Sequence, residues 1–169
     1  LVGCAEPELG AGANDASLVE RGPLIELDAF EIVAASEDPL ANHRPAELNC
    51  PVAAWGLEDD SLEVQTGACN YLALGQDTLV AIAPGEELEL DLWHNDLDAQ
   101  EPALAHFAVL LDARVVGEYE VEIPSAAAFT QLSWVAEQEV PAGTRLGLHL
   151  HNHGFNSWTV VRVGIGTHE

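Results

Sequence analysis

The 169-residue chain has no lysine and no methionine, and its five basic residues are all arginines (Arg21, Arg44, Arg114, Arg145, Arg162) against 29 acidic ones. The resulting formal charge of -24 repels phosphate backbones and anionic lipid headgroups, which excludes nucleic acid as a partner. The bulk of that acidity reads as a solvated surface suited to salty or calcium-containing surroundings. No apolar run reaches the ~18 residues of a membrane span, so lipid is the only anchor the sequence allows. Also missing are G-x-S-x-G, H-E-x-x-H, the P-loop and G-x-G-x-x-G, and carboxylates are too numerous for any pair to stand out as acid and base. The expectation is a binding or interaction module rather than an enzyme.

Cysteine is scarce, at three residues: Cys4, Cys50 and Cys69. The first lies in Leu1-Val2-Gly3-Cys4, where the chain opens without a Met, as a product trimmed upstream would. These four residues resemble the lipobox of bacterial lipoproteins: a branched apolar residue, two small or apolar residues, then Cys. An acidic, Ala/Gly-rich run, AEPELGAGANDAS, follows. The resemblance implies that residues 1–3 end a signal peptide, that Cys4 is the lipidated N-terminus, and that the protein is exported to an outer membrane or cell surface. Residues 4–23 then form a flexible tether of roughly 20–25 Å, and 24–169 the folded domain. Setting Cys4 aside leaves Cys50 and Cys69, an even pair in an exported chain, which predicts a disulfide. A blue-copper centre is excluded, since it needs a free thiolate and usually an axial Met.

The domain reads as strands. Glu87 to Trp93 alternates strictly, with Leu88, Leu90 and Leu92 on one face and Glu87, Glu89 and Asp91 on the other. Val115 to Ile123 alternates too, with Val115, Tyr119, Val121 and Ile123 expected inward and Glu118, Glu120 and Glu122 outward. Leu104 to Leu111 is apolar on both faces except at His106. Ser61–Thr66, Cys69–Leu74, Thr78–Ile82, Phe129–Val135, Arg145–His151 and Ser157–Ile165 bring the count to about nine, while 35–48 reads as loop. Short connections predict an all-β, two-sheet antiparallel β-sandwich of jelly-roll type, with an immunoglobulin-like strand order as the alternative.

Chemistry concentrates on histidine. In Leu146-Gly147-Leu148-His149-Leu150-His151-Asn152-His153 the leucines take one face of a strand, which sends His149, His151 and His153 to the other, expected to be open to solvent. Same-face neighbours lie about 6.5–7 Å apart, a spacing at which two imidazoles can converge on one Cu or Zn ion. His94 and His106 both read as inward, in phase with leucines, and could meet at one end of the sandwich to complete the set. HLHNHG is similar to the paired-histidine strand of copper/zinc superoxide dismutases, but there further His and Asp ligands follow, whereas only His168 follows here; that family is rejected. Asn95, Asp96, Asp98 and Glu101 form the densest oxygen group on a loop, a candidate for Ca²⁺. Trp93 and Trp158 each fall out of phase with the core set of their strand and are candidate platforms for a stacked sugar. The leading expectation is therefore a lipid-anchored module that binds a protein or glycan ligand near His94, His149 and His151, with Cu or Zn. The alternatives are a metalloenzyme with an open histidine site, and a structural surface subunit that assembles into homo-oligomers or filaments.

Overall fold

The computed structural model describes residues 22–151 and 154–166. Among these residues ten strands form: β1 (Glu31–Ile32), β2 (Trp55–Glu58), β3 (Ser61–Gln65), β4 (Tyr71–Asp77), β5 (Glu87–His94), β6 (Ala103–Leu111), β7 (Arg114–Ile123), β8 (Ala128–Val135), β9 (Arg145–His151) and β10 (Ser157–Ile165). They build two five-stranded antiparallel sheets, ordered β1-β4-β9-β6-β7 and β2-β3-β10-β5-β8. The pairs β6·β7, β5·β8, β4·β9 and β3·β10 nest like one long hairpin, and rolling that hairpin adds β5·β10 and β6·β9. This is the jelly-roll order, with β1 and β2 added at the sheet edges.

Alternating apolar positions fill the space between the sheets: Leu88, Leu90 and Leu92 from β5, Ala105, Phe107, Val109 and Leu111 from β6, and Leu146, Leu148 and Leu150 from β9. The set on β6 is the opposite phase to the one expected, so His106, Ala108 and Leu110 face away from the sandwich. They are nonetheless buried, because residues 33–48 fold back over the outer face of the first sheet; this second layer is what makes β6 apolar on both sides. Bulges account for two further departures. One opposite Val109/Leu110 pairs Leu110 with Val115, which turns Val115 outward and Val116 inward. Another, between Val160 and Arg162, lets Trp158, Val160, Val163 and Ile165 all face the core despite their change of parity. Thr78–Ile82 is not a strand: Thr78 bonds to Gly143 and Thr144, Leu79 to Leu24, and Ile82, wholly buried, forms an isolated two-bond bridge with Val140. Trp55–Glu58, not anticipated, pairs with β3.

The covering segment is held at both ends. At its start, β1 pairs with β4 and the Val33 amide donates to Ala73 O at 2.9 Å. At its end, Cys50 is disulfide-bonded to Cys69, and Asn49 and Asn70 exchange hydrogen bonds of 2.8 Å. The expected disulfide is thus present, and it fits an oxidising compartment. In the middle, the Tyr71 hydroxyl donates to the buried carboxylate of Asp38, while Arg44 lies 5.0 Å above the Tyr71 ring with its Nε 3.5 Å from Asp38 Oδ2. Burial, then the hydrogen bond to Asp38 and that carboxylate's charge, raise the Tyr71 pKa, so the phenol remains a donor. Among the described residues no helix is long and apolar enough to cross a membrane.

Candidate metal centre

Paired residues in an antiparallel ladder share a face, so the register of the first sheet places its outward side chains in rows. One row runs Tyr71, His151, His106, Glu120 across β4, β9, β6 and β7. The next runs Ala73, His149, Ala108, Glu118. His149 is flanked by two alanines, which leaves room beside its ring. His43, at the end of the 3-10 turn Ala41–His43 in the covering segment, comes down onto this face.

Three imidazoles meet there. Ring centroids stand 5.3 Å apart for His43 and His106, 5.2 Å for His43 and His149, and 5.4 Å for His106 and His149. One ring nitrogen from each lies within 4.8 Å of the other two. His43 Nδ1 is 3.3 Å from His149 Nε2. Two ligands about 2.0–2.1 Å from one tetrahedral ion are separated by about 3.3–3.4 Å, so this pair already stands at coordination distance. His106 Nε2 is 3.2 Å from Glu118 Oε1, the carboxylate–histidine contact that typically orients a metal-bound imidazole and raises its basicity. His151 lies beside the group, 6.2 Å from the His43 ring.

Burial governs the electrostatics. His149 is 1 % exposed, and desolvation, reinforced by the neighbouring His106 and His43, depresses its pKa to about 3. The ring is therefore neutral across the physiological range, the state in which its lone pair can bind an ion. Its Nδ1 is buried with no hydrogen-bond partner. Beyond His149 the third outward row is Gly75, Gly147 and Leu110, and over these small residues lies a cavity of about 450 Å³. Val33 and Pro39 of the covering segment form its roof.

The structure redistributes the residues singled out from sequence. His149 does face outward, but the covering segment buries it rather than leaving it open. His106 joins it on that outer face rather than meeting His94. His94 lies between the sheets, its ring 4.9 Å from Trp158 and 6.0 Å from Tyr119, with Nδ1 2.9 Å from Asn95 O and Nε2 3.4 Å from the Tyr119 hydroxyl. Leucine phase placed His94 correctly inward, and that placement removes it from the cluster. His153 and Cys4 lie outside the described residues. His43 was missed, because a histidine in an aperiodic loop carries no facing signal. Glu118 was read only as an outward acid.

The side chains of the proposed oxygen-ligand loop are engaged in hydrogen bonds. Asp96 Oδ1 accepts from Ala127 N at 2.7 Å, Asp98 Oδ1 accepts from Ala99 N at 2.9 Å, and Asn95 Nδ2 donates to Ser157 Oγ at 2.8 Å. Among the described residues Asp96, Asp98 and Glu101 do not bring ligand oxygens together; the ligand atoms that do converge are the ring nitrogens of the three histidines. Trp158 is 1 % exposed and stacks on Phe107, so it is core rather than platform. Trp93, at 38 % exposure, lies on the outer face of the second sheet directly opposite Phe129.

Fold and site together define an all-β jelly-roll sandwich with a histidine cluster enclosed under a strap. No family model matches the chain, and no curated protein matches it. Solved structures with a similar outline include one described as "CBM4 structure and function" (9 % identity, covering 83 % of this chain and 97 % of that one, TM-score 0.46). A putative sugar binding protein from Bacteroides thetaiotaomicron matches at 9 % identity over 87 % of this chain and 100 % of that one, TM-score 0.45. A family 16 carbohydrate binding module matches at 12 % identity over 63 % and 76 %, TM-score 0.41. Likenesses this distant assign the chain neither a family nor a ligand.

Proposed function

We propose that this domain is an exported, non-catalytic binding module that holds a Zn²⁺ or Cu²⁺ ion through His43, His106 and His149, carried on a tether from a lipidated Cys4. The observation that supports the metal is the convergence of three imidazole nitrogens from three separate elements, within 4.8 Å of one another. Two come from adjacent strands of a rigid sheet and the third from the strap above. Three protein ligands leave a coordination position for water or a partner group, as in labile or catalytic zinc sites rather than closed structural ones.

Calorimetric titration of tag-free, chelator-stripped protein tests this reading. One equivalent of Zn²⁺ or Cu²⁺ should bind with Kd below about 10 μM, and His43→Asn should weaken it at least tenfold. His94→Asn, which alters a histidine outside the cluster, should leave the affinity unchanged. Failure of both ions to bind at that level would end the proposal.

The outer face of the second sheet favours a second, separate activity. Trp93 and Phe129 form an exposed cross-strand aromatic pair, and Thr159 lies opposite Trp93 on its other side. In the same sheet, Gln131 Nε2 donates to Asp91 Oδ1 at 2.8 Å. An aromatic surface beside polar groups suits the apolar face of a sugar ring. Loss of glycan-array signal on Trp93→Ala would support that reading, and absence of any glycan signal from the unsubstituted protein would remove it.

A further inference from the structure

The cavity beside the histidine cluster has a composition of its own. Its sheet side is built from small residues, Ala73, Gly75 and Gly147, with Leu110 alongside. The Arg145 guanidinium lies across Gly75, its Nε 2.5 Å from where a Cβ would stand, and closes one side. That guanidinium is already matched, with Nη1 3.3 Å from Asp77 Oδ1. At the solvent edge stand the exposed carboxylates of Glu37 and Asp112, and among the described residues neither forms an ion pair. At the inner end lies His149, almost wholly buried.

These features select a chemistry. An acidic mouth on a chain of charge -24 repels anions and attracts cations. Aliphatic and glycine surfaces inside accept a flat apolar body, and about 450 Å³ falls in the range of small-molecule sites. Arg145 and His149 are four residues apart on one strand, so the long dimension is about 13 Å between their Cα atoms. We propose that this cavity binds a small aromatic amine, its ammonium between Glu37 and Asp112 and its ring over the small residues that lead toward His149. The cavity and its carboxylates stand independently of the ion.

Tyramine is a suitable probe, and 3-(4-hydroxyphenyl)propionate is its near-isostere with the opposite charge. By calorimetry or ligand-observed NMR on the full chain, tyramine should bind with Kd below about 1 mM, and the propionate should not bind at about 10 mM. The double variant Glu37→Gln, Asp112→Asn should weaken tyramine about fivefold or more. Its Zn²⁺ affinity should stay unchanged, since neither residue belongs to the cluster. Gly147→Val, whose Cβ meets Leu110 Cβ at an ordinary 3.4 Å, should fill the cavity and abolish binding; should it not fold, the charge variant decides alone. No tyramine binding at about 10 mM, equal binding of the propionate, or full affinity in a folded variant would each overturn the proposal. Zn²⁺ binding without tyramine binding removes the cavity and keeps the metal site, and tyramine binding without Zn²⁺ binding does the reverse.

Discussion

Acidification of the metal-free protein should expose the buried imidazole directly. An unfolded His149 protonates near its ordinary 6.5, whereas in the folded protein desolvation and its histidine neighbours hold that pKa down to about 3. Below pH 6.5 the unfolded state therefore binds the proton and the native state does not, so stability is full above that pH and falls as the pH drops. The decline levels off only below about pH 3. Each pH unit in this window costs about 1.4 kcal/mol, which makes about 2 kcal/mol at pH 5. The acidic surface changes over the same range, because protonating carboxylates relieves repulsion, so the imidazole must be isolated by comparison. His149→Gln keeps a polar planar group in the same place without a titrating ring. Urea unfolding followed by tryptophan fluorescence, in chelator, at about pH 7.5 and pH 5, would measure both chains. The wild type should lose about 2 kcal/mol more than the variant between the two conditions. Equal losses would refute the claim that His149 is held neutral by burial under the strap.

The strap's attachments make further predictions. Replacing Cys50 and Cys69 by Ala opens a loop with a sequence separation of 19 and should cost about 3 kcal/mol, read as a lower midpoint in the same urea titration. Tyr71→Phe removes the hydroxyl donor from the buried Asp38 carboxylate. It should cost about 1–3 kcal/mol in stability and speed amide hydrogen exchange across residues 38–43 while leaving β9 protected.

The sandwich was legible because its signal is local. Leu88, Leu90 and Leu92 alternate with acids, and only a half-buried strand satisfies that pattern. The pairing of His149 with the sheet's outer face was equally legible, since the intervening leucines need a core. What periodicity could not convey is a second layer. Nothing in Leu146 to His151 reveals that residues 33–48 return to cover them, and the His43–His149 contact spans 106 positions from an aperiodic loop. His106 was assigned the wrong face for the same reason: with both faces of β6 covered, apolar neighbours no longer identify the core side. Trp158 was misread because a single bulged residue after Val160 inverts parity, and a bulge at that position leaves no mark in composition. The oxygen-rich loop failed differently, as Asp96 and Asp98 are the right residues for capping backbone amides as well as for binding calcium, and the structure uses them as caps.

The account depends most on the three imidazoles sharing one ion, and anomalous diffraction above the zinc edge from crystals grown with equimolar Zn²⁺ tests that directly. A single strong peak about 2.0–2.1 Å from one nitrogen each of His43, His106 and His149 is the predicted result. Zinc bound only at surface carboxylates or at His94, with the cluster empty at full equivalence, would contradict it.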